Sequence, residues 1–371
     1  MTLYKITQPI FSGLEKKYVL DCLKTTWVSS QGKYLELFEK NFAKFCGRKY
    51  ATATSNGTVS LYLILLALGL KAGDEVIVPN FTYVAAYNAI LYTGAKPILV
   101  DCLKDTFNLD PDLVEKSLTK KTKAIIAVHL YGNPCQMDKL AQIARKNRLH
   151  LIEDAAEAHG ATFKNKIIGS FGVASSFSFF GNKTITTGEG GMITTDSAAL
   201  LEKINLLKNQ GQHPADPRYY HRCLGYNFRL TNLQAAIGLA QLKQIKKFVR
   251  QKQQINAWYR SQLSGLVKNG RLKFQKPTPL SRPGYWMNAI LLTGKIPSWL
   301  AKKLMLANIE TRPFFVPMNR LPYVKTSGRF NVSASLSQSG LILPGALNLK
   351  EKDVKFISQK IIKFNVFFFK I

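Results

Sequence analysis

Through the first part of the chain, apolar residues gather in short continuous runs, separated by longer stretches with helical spacing. The runs are Glu75–Pro79 (EVIVP), Pro97–Val100 (PILV), Lys123–His129 (KAIIAVH), His150–Glu153 (HLIE) and Ala174–Phe180 (ASSFSFF). Runs with no polar alternation are expected to be strands buried on both faces of a parallel sheet. Helices are predicted after Ser55, with Leu61, Leu65, Leu66, Leu68 and Leu70 apolar and the turn at Lys71–Asp74 ending it, and over Tyr83–Tyr92 and Met137–Lys146. Strands alternating with helices give an α/β domain with a mostly parallel sheet, whose ligands sit beyond the carboxyl ends of the strands.

The pattern changes near residue 240. Gln241–Leu263 reads as one long basic helix, Pro277–Arg282 as a turn region, Gly284–Leu292 as a strand and Trp299–Asn308 as a helix. The expected organisation is a large α/β domain over 1–240 and a smaller C-terminal α+β domain over 241–371.

The 371 residues are 46% hydrophobic and include 22 Phe, 15 Tyr and 4 Trp, which excludes a disordered chain. The formal net charge of +30 admits nucleic acid, an anionic membrane or small polyanions as partners. The basic residues are spread along the chain rather than gathered in a recognisable module, so no nucleic-acid partner is expected. Five scattered cysteines form no C-x-x-C pair and indicate neither a zinc site nor a disulfide framework, which fits a reducing cytoplasm. Met1–Phe11 lacks a signal-peptide core, and no apolar run approaches the ~20 residues of a membrane span. The tail Ile361–Ile371 is apolar but short and broken by lysine, and is read as a packed terminal element or a divergent end.

Four places carry candidate chemistry. Ser176–Met192 (SFSFFGNKTITTGEGGM) holds a single lysine, Lys183, between a strand rich in Ser and Phe and a Gly-rich turn. An apolar surround disfavours the ammonium form, as a lysine that condenses with a carbonyl requires. Taken alone, the segment reads more simply as a hairpin loop with a surface lysine. Gly190 and Gly191 are expected to let the backbone approach a bulky ligand. Asp154 follows His150–Glu153 and would point into the ligand crevice; the competing reading is an N-cap for the Ala-rich segment behind it. Glu153 and Glu157 are further candidates, and His159 reads as a satisfied core histidine. Ser55-Asn56-Gly57-Thr58 before a helix offers backbone N–H groups to a phosphate, or ordinary capping. Tyr83 offers a ring to stack on a flat cofactor, or core packing.

The order of these features carries more than each alone. TTWVSSQGKYLELFE, TSNGTVSL, GDEVIVPNFTYVAAYNAI, KAIIAVHLYGNP, LIEDAAEAHGA, FSFFGNKTITTGEGGM and GYNFRLTNLQAAIGLAQL occur in that sequence. Through them the chain, from about Pro9 to Asp353, resembles the DegT/DnrJ/EryC1/StrS family of sugar aminotransferases. The resemblance implies a fold-type I aminotransferase dependent on pyridoxal 5'-phosphate and acting in the cytoplasm. It implies that Lys183 is the Schiff-base lysine and the acid and base of the proton shift. Asp154 would then partner the pyridine nitrogen, Glu157 the ring-hydroxyl side and Tyr83 the ring face. Gly57, Thr58 and Ser178 would contact the phosphate, and Asn227 would reach it from the other subunit of a homodimer. Within the family, TTWVSS, SFFGNKTITTGEGGMIT, YWM and RPFFVPM point to amination at C4 of a nucleotide-linked 4-keto-6-deoxy sugar, with GDP-4-keto-6-deoxymannose as acceptor and L-glutamate as donor. Sugar dehydratases on this fold carry His in place of the lysine, so Lys183 argues against them; it leaves amination at C3 or C4 open, and a dTDP- or UDP-linked keto sugar is the alternative acceptor. No helix-turn-helix or zinc module supports a regulatory protein on the same fold. One departure is that Val316 and Asn319 stand where the family often carries histidines, in a region expected near the sugar.

Overall fold

The computed structural model describes residues 3–294 and 297–366. A seven-stranded sheet forms its centre. The strands are β1 (Tyr50–Thr54), β2 (Glu75–Pro79), β3 (Lys96–Val100), β4 (Thr122–Val128), β5 (His150–Asp154), β8 (Ala174–Ser178) and β9 (Gly191–Thr195); β6 (Thr162–Phe163) and β7 (Lys166–Ile167) are short outliers. The order is β1-β9-β8-β5-β4-β2-β3. From β3 to β8 all pairs are parallel, while β9 and β1 close the other edge antiparallel. The predicted parallel runs are therefore present.

The sheet is covered on both faces, which is why its strands read as unbroken apolar runs. Ile77, Ile125 and Ala127 face one core with Phe38, Phe42, Leu140 and Ala235. Their neighbours Val76, Val78, Ala124, Ile126 and Val128 face the other with Leu61, Leu65, Ala86 and Ile204. The first layer draws on helices α1 (Leu14–Lys24), α2 (Lys33–Cys46), α5 (Pro111–Lys116) and α6 (Met137–Lys146), and the second on α3 (Gly57–Ala67), α4 (Ala85–Tyr92) and α7 (Ala198–Lys208).

The long basic helix begins earlier than its charge suggests. Helix α8 spans Asn232–Gln262, because Thr231 and Gln234 form a reciprocal capping box at its start. It runs into a second sheet, β10 (Leu272–Phe274), β12 (Asn288–Leu292), β14 (Gly340–Leu343) and β13 (Arg312–Pro313) in that order, while β11 (Ser281–Arg282) pairs with β6. Ile255, Tyr259, Ile290, Leu341, Val354 and Ile357 share the core of this unit. The expected strand Gly284–Leu292 starts only at Asn288, and the expected helix Trp299–Asn308 is Pro297–Met305. The apolar tail is helical through Val366; its residues 367–371 lie outside the described residues. Among the described residues no helix is long and apolar enough to cross a membrane.

Candidate active site

A cavity of about 590 Å³ opens at the carboxyl ends of the parallel strands, between the large sheet and the smaller unit. Gly57, Thr58, Tyr83, Asp154, Glu157, Ser178 and Lys183 all line it. Asn227 does not. It is exposed on its own chain, and its Oδ1 accepts from Nε of Arg229 at 2.9 Å.

One end of the cavity is the start of α3. Of its first-turn amides, that of Val59 donates to Oδ1 of Asn56 and that of Ser60 to the Asn56 carbonyl. Both capping and cavity lining are therefore present, and the amides of Gly57 and Thr58 stand at the positive end of the helix dipole. Gly57 is required by packing: a Cβ there would sit 2.9 Å from Cβ of Ser178. Strand β8 thus brings the Ser178 side chain directly beside the helix start. A helix N-terminus with an adjacent hydroxyl is suited to a phosphate.

Asp154 closes β5, at a strand's carboxyl end. The segment behind it is a series of turns rather than a helix, so the N-cap reading fails. Its Oδ1 accepts from the Ala156 amide at 3.1 Å, leaving the carboxylate in the cavity wall. Burial raises its pKa, and the Ala156 amide and Lys183 pull against that rise. Opposite a protonated ring nitrogen, such a carboxylate has its counter-charge.

Lys183 is not a surface lysine, since its side chain is 11% exposed. Its Nζ lies 3.8 Å from Oε1 of Glu157 and 3.9 Å from the centroid of the Trp286 ring. Burial lowers the lysine's pKa; Glu157 and Asp154 oppose the shift without cancelling it. Burial pushes Glu157 the other way, up to about 7. Its Oε2 accepts from the Tyr131 amide at 2.7 Å, which fixes the carboxyl beside the amine. Tyr83 is 57% exposed at the cavity edge, so core packing does not describe it.

Three expectations need correction. Gly190 and Gly191 do not line the cavity: a Cβ on Gly190 would strike Oγ1 of Thr187, and one on Gly191 would lie 2.5 Å from the Asn56 carbonyl oxygen. They serve the close approach of protein to protein. Glu153 is a structural anchor rather than a site residue. It accepts from the amides of Gly169, Phe171 and Gly172 and from the Ser175 hydroxyl. Burial would raise its pKa, but His129 and these amides hold it at about 2. His159 is the core histidine expected, buried against Phe177 and Phe179 with the Ser178 backbone beside its ring, although neither ring nitrogen reaches full hydrogen-bond geometry among the described residues. Val316 and Asn319 also lie off the cavity wall; Asn319 exchanges hydrogen bonds with Asn80.

Trp286, Phe315, Arg312 and Asn182 stand in the strings YWM, RPFFVPM and FSFFGNKTITTGEGGM without an assigned role, and they line the cavity as well. Three of them come from the smaller unit, and tertiary folding alone brings them to the strand ends. Two buried atoms on the wall, Oγ1 of Thr82 and Oδ1 of Asn182, have no partner among the described residues. Orphaned polar atoms on a cavity wall mark where a ligand's polar groups belong. A buried lysine whose ammonium form is disfavoured, a strand-end carboxylate, a helix-start anion cradle and these two atoms fit pyridoxal phosphate.

Comparison with known proteins agrees. The model of the DegT/DnrJ/EryC1/StrS aminotransferase family matches residues 10–362. The GDP-perosamine synthase of Escherichia coli O157:H7 is 44% identical over 361 residues, covering 97% of this chain and 98% of its own. That of Caulobacter vibrioides is 43% identical over 94% of this chain and 95% of its own. The solved PLP-form of Spr1654 from Streptococcus pneumoniae superposes with a TM-score of 0.92 at 26% identity, over 98% of this chain and 99% of that one. The chain belongs to the DegT/DnrJ/EryC1/StrS aminotransferase family.

Proposed function

We propose that the protein transfers the amino group of L-glutamate to C4 of GDP-4-keto-6-deoxymannose, giving GDP-perosamine. The observation that carries this reading is near-full-length identity of 43–44% to two GDP-perosamine synthases, in a chain whose cavity brings Lys183, Asp154 and Glu157 together.

Pyridoxal phosphate, when bound, supplies an electron sink that no side chain offers. The amides of Gly57 and Thr58 and the Ser178 hydroxyl would hold its phosphate. Asp154 would keep the ring nitrogen protonated, Glu157 would meet the ring-hydroxyl side, and Tyr83 would stack on the ring. Lys183 tethers the cofactor. As a neutral amine it then takes the proton from Cα of glutamate and, in the second half of the cycle, delivers one to C4 of the sugar. The fixed carboxylates and amides need no reorganisation as charge develops.

The 1–240 segment is read as the cofactor-binding unit and 241–371 as a smaller unit that closes the cavity. Asn227 serves the site of a second copy in a homodimer, a reading supported by its exposure and by Tyr219, Tyr220 and Leu224, exposed by 74%, 58% and 83% on the same segment. The compartment is the cytoplasm. The test is amine transfer from L-glutamate to GDP-4-keto-6-deoxymannose beside dTDP- and UDP-linked 4-keto sugars. A kcat/KM at least about tenfold higher for the GDP sugar supports the reading; preference for another nucleotide overturns it.

A further inference from the structure

The charges on the cavity wall run against those of the chain. The chain carries a formal +30, yet the lining holds three carboxylates, Asp154, Glu157 and Glu189, against two basic groups, Lys183 and Arg312. Both proposed substrates are anions. Glutamate carries two carboxylates and the sugar nucleotide a diphosphate, so a wall of this sign repels them unless a cation is placed to receive them.

Lys183 is committed to the cofactor and its ammonium is disfavoured by burial. The smaller unit contributes Trp286, Met287, Arg312, Pro313, Phe315 and Ile342. Of these Arg312 alone is charged, and the Nε1 of Trp286 is already given to the Asn182 carbonyl at 2.8 Å. The Arg312 backbone is fixed by pairing of β13 with Ile342 of β14. Its side chain is 44% exposed, and its ion-pair partner, Oε1 of Glu310, lies at a long 3.4 Å. The other Glu310 oxygen accepts from the Ile6 amide at 2.9 Å, so that carboxylate is held from behind. Such a pair is weak, and it leaves the guanidinium edge open to a two-pronged contact with oxygen anions.

We propose that Arg312 is the substrate-binding residue that receives the anionic oxygens of the substrate, a carboxylate of the donor or the diphosphate of the acceptor. This rests on the reading of the cavity as the substrate site. Arg312→Gln and Arg312→Lys are to be compared with the intact holoenzyme in two arms: calorimetric binding of 2-oxoglutarate, and calorimetric binding of GDP. KM values for L-glutamate and for the keto sugar are read alongside. Arg312→Gln is expected to weaken binding about 10- to 100-fold in at least one arm, with Arg312→Lys between it and wild type and Tm unchanged. Weakening confined to 2-oxoglutarate assigns the donor carboxylate, and weakening confined to GDP the diphosphate. Changes below about twofold in both arms, or no wild-type binding of either ligand, overturn the proposal. Failure of the functional reading appears separately, as wild-type protein that binds these anions but aminates no keto sugar.

Discussion

Trp286 is joined to Lys183 twice. Its ring centroid lies 3.9 Å from Nζ of the lysine, and its Nε1 donates at 2.8 Å to the carbonyl of Asn182, the residue before the lysine. A side chain of the smaller unit thus both shields the amine from water and ties down the backbone that carries it. Trp286→Ala is expected to lower kcat/KM about 10- to 30-fold by removing a desolvated ring contact, while Trp286→Phe keeps most of the activity. Steady-state kinetics of the two variants checks this; equal losses would assign the effect to the lost hydrogen bond alone.

Asp154→Asn keeps the shape of the strand end but cannot hold a ring nitrogen in its protonated state. It is expected to lower kcat by about 100- to 1000-fold while cofactor affinity falls less than about tenfold. Equilibrium dialysis of the cofactor beside single-turnover kinetics separates the two. A loss confined to affinity would move Asp154 from chemistry to binding.

Gly57→Ala places a methyl 2.9 Å from Cβ of Ser178 and 3.4 Å from the Phe177 carbonyl oxygen. Both neighbours are held in β8 by pairing with Met192 and Gly191 of β9, so the strain falls on the start of α3. The expected outcome is a destabilisation of about 1–3 kcal/mol in urea melts, with a drop in cofactor affinity. Unchanged affinity would remove the helix start from the site.

His159 gives the fold an acid-sensitive point. Burial lowers its pKa from 6.5 to about 3. Below pH 6.5 the unfolded chain takes up a proton that the folded chain refuses, so stability falls as pH falls from 6.5 toward 3. The loss reaches about 2 kcal/mol at pH 5. His159→Phe, among Phe177 and Phe179, removes that loss. Denaturant midpoints at pH 5 and pH 7.5 should therefore differ less in the variant than in wild type, and an equal difference would mean that His159 titrates normally.

The parallel strands and the helices between them were legible because both faces of the sheet are buried. Strands β1 (YATAT) and β9 (GMITT) were not: they are short and rich in Thr, Ala and Gly, and antiparallel pairing of β1 with β9 and of β9 with β8, rather than side-chain character, makes them strands. Lys183 and Asp154 could be placed because strand ends are where such a sheet puts its ligands. Their order along the chain, not their local chemistry, separated them from a loop lysine and an N-cap. The strings YWM and RPFFVPM contain Trp286 and Arg312, but nothing local gave either a role at the cavity, because contacts between residues distant in sequence carry them there. Gly190, Gly191 and Glu153 looked functional because tight packing and buried polar anchoring use the residue types that sites use.

Lysine-tethered amino transfer at Lys183 leaves a spectroscopic signature. The most direct measurement is the visible absorbance of the protein purified with excess pyridoxal phosphate. Wild type is expected to show a visible cofactor band that L-glutamate bleaches and GDP-4-keto-6-deoxymannose restores, and Lys183→Ala to show neither change. A wild-type protein without that band, or a band that L-glutamate leaves untouched, would exclude amino transfer through Lys183.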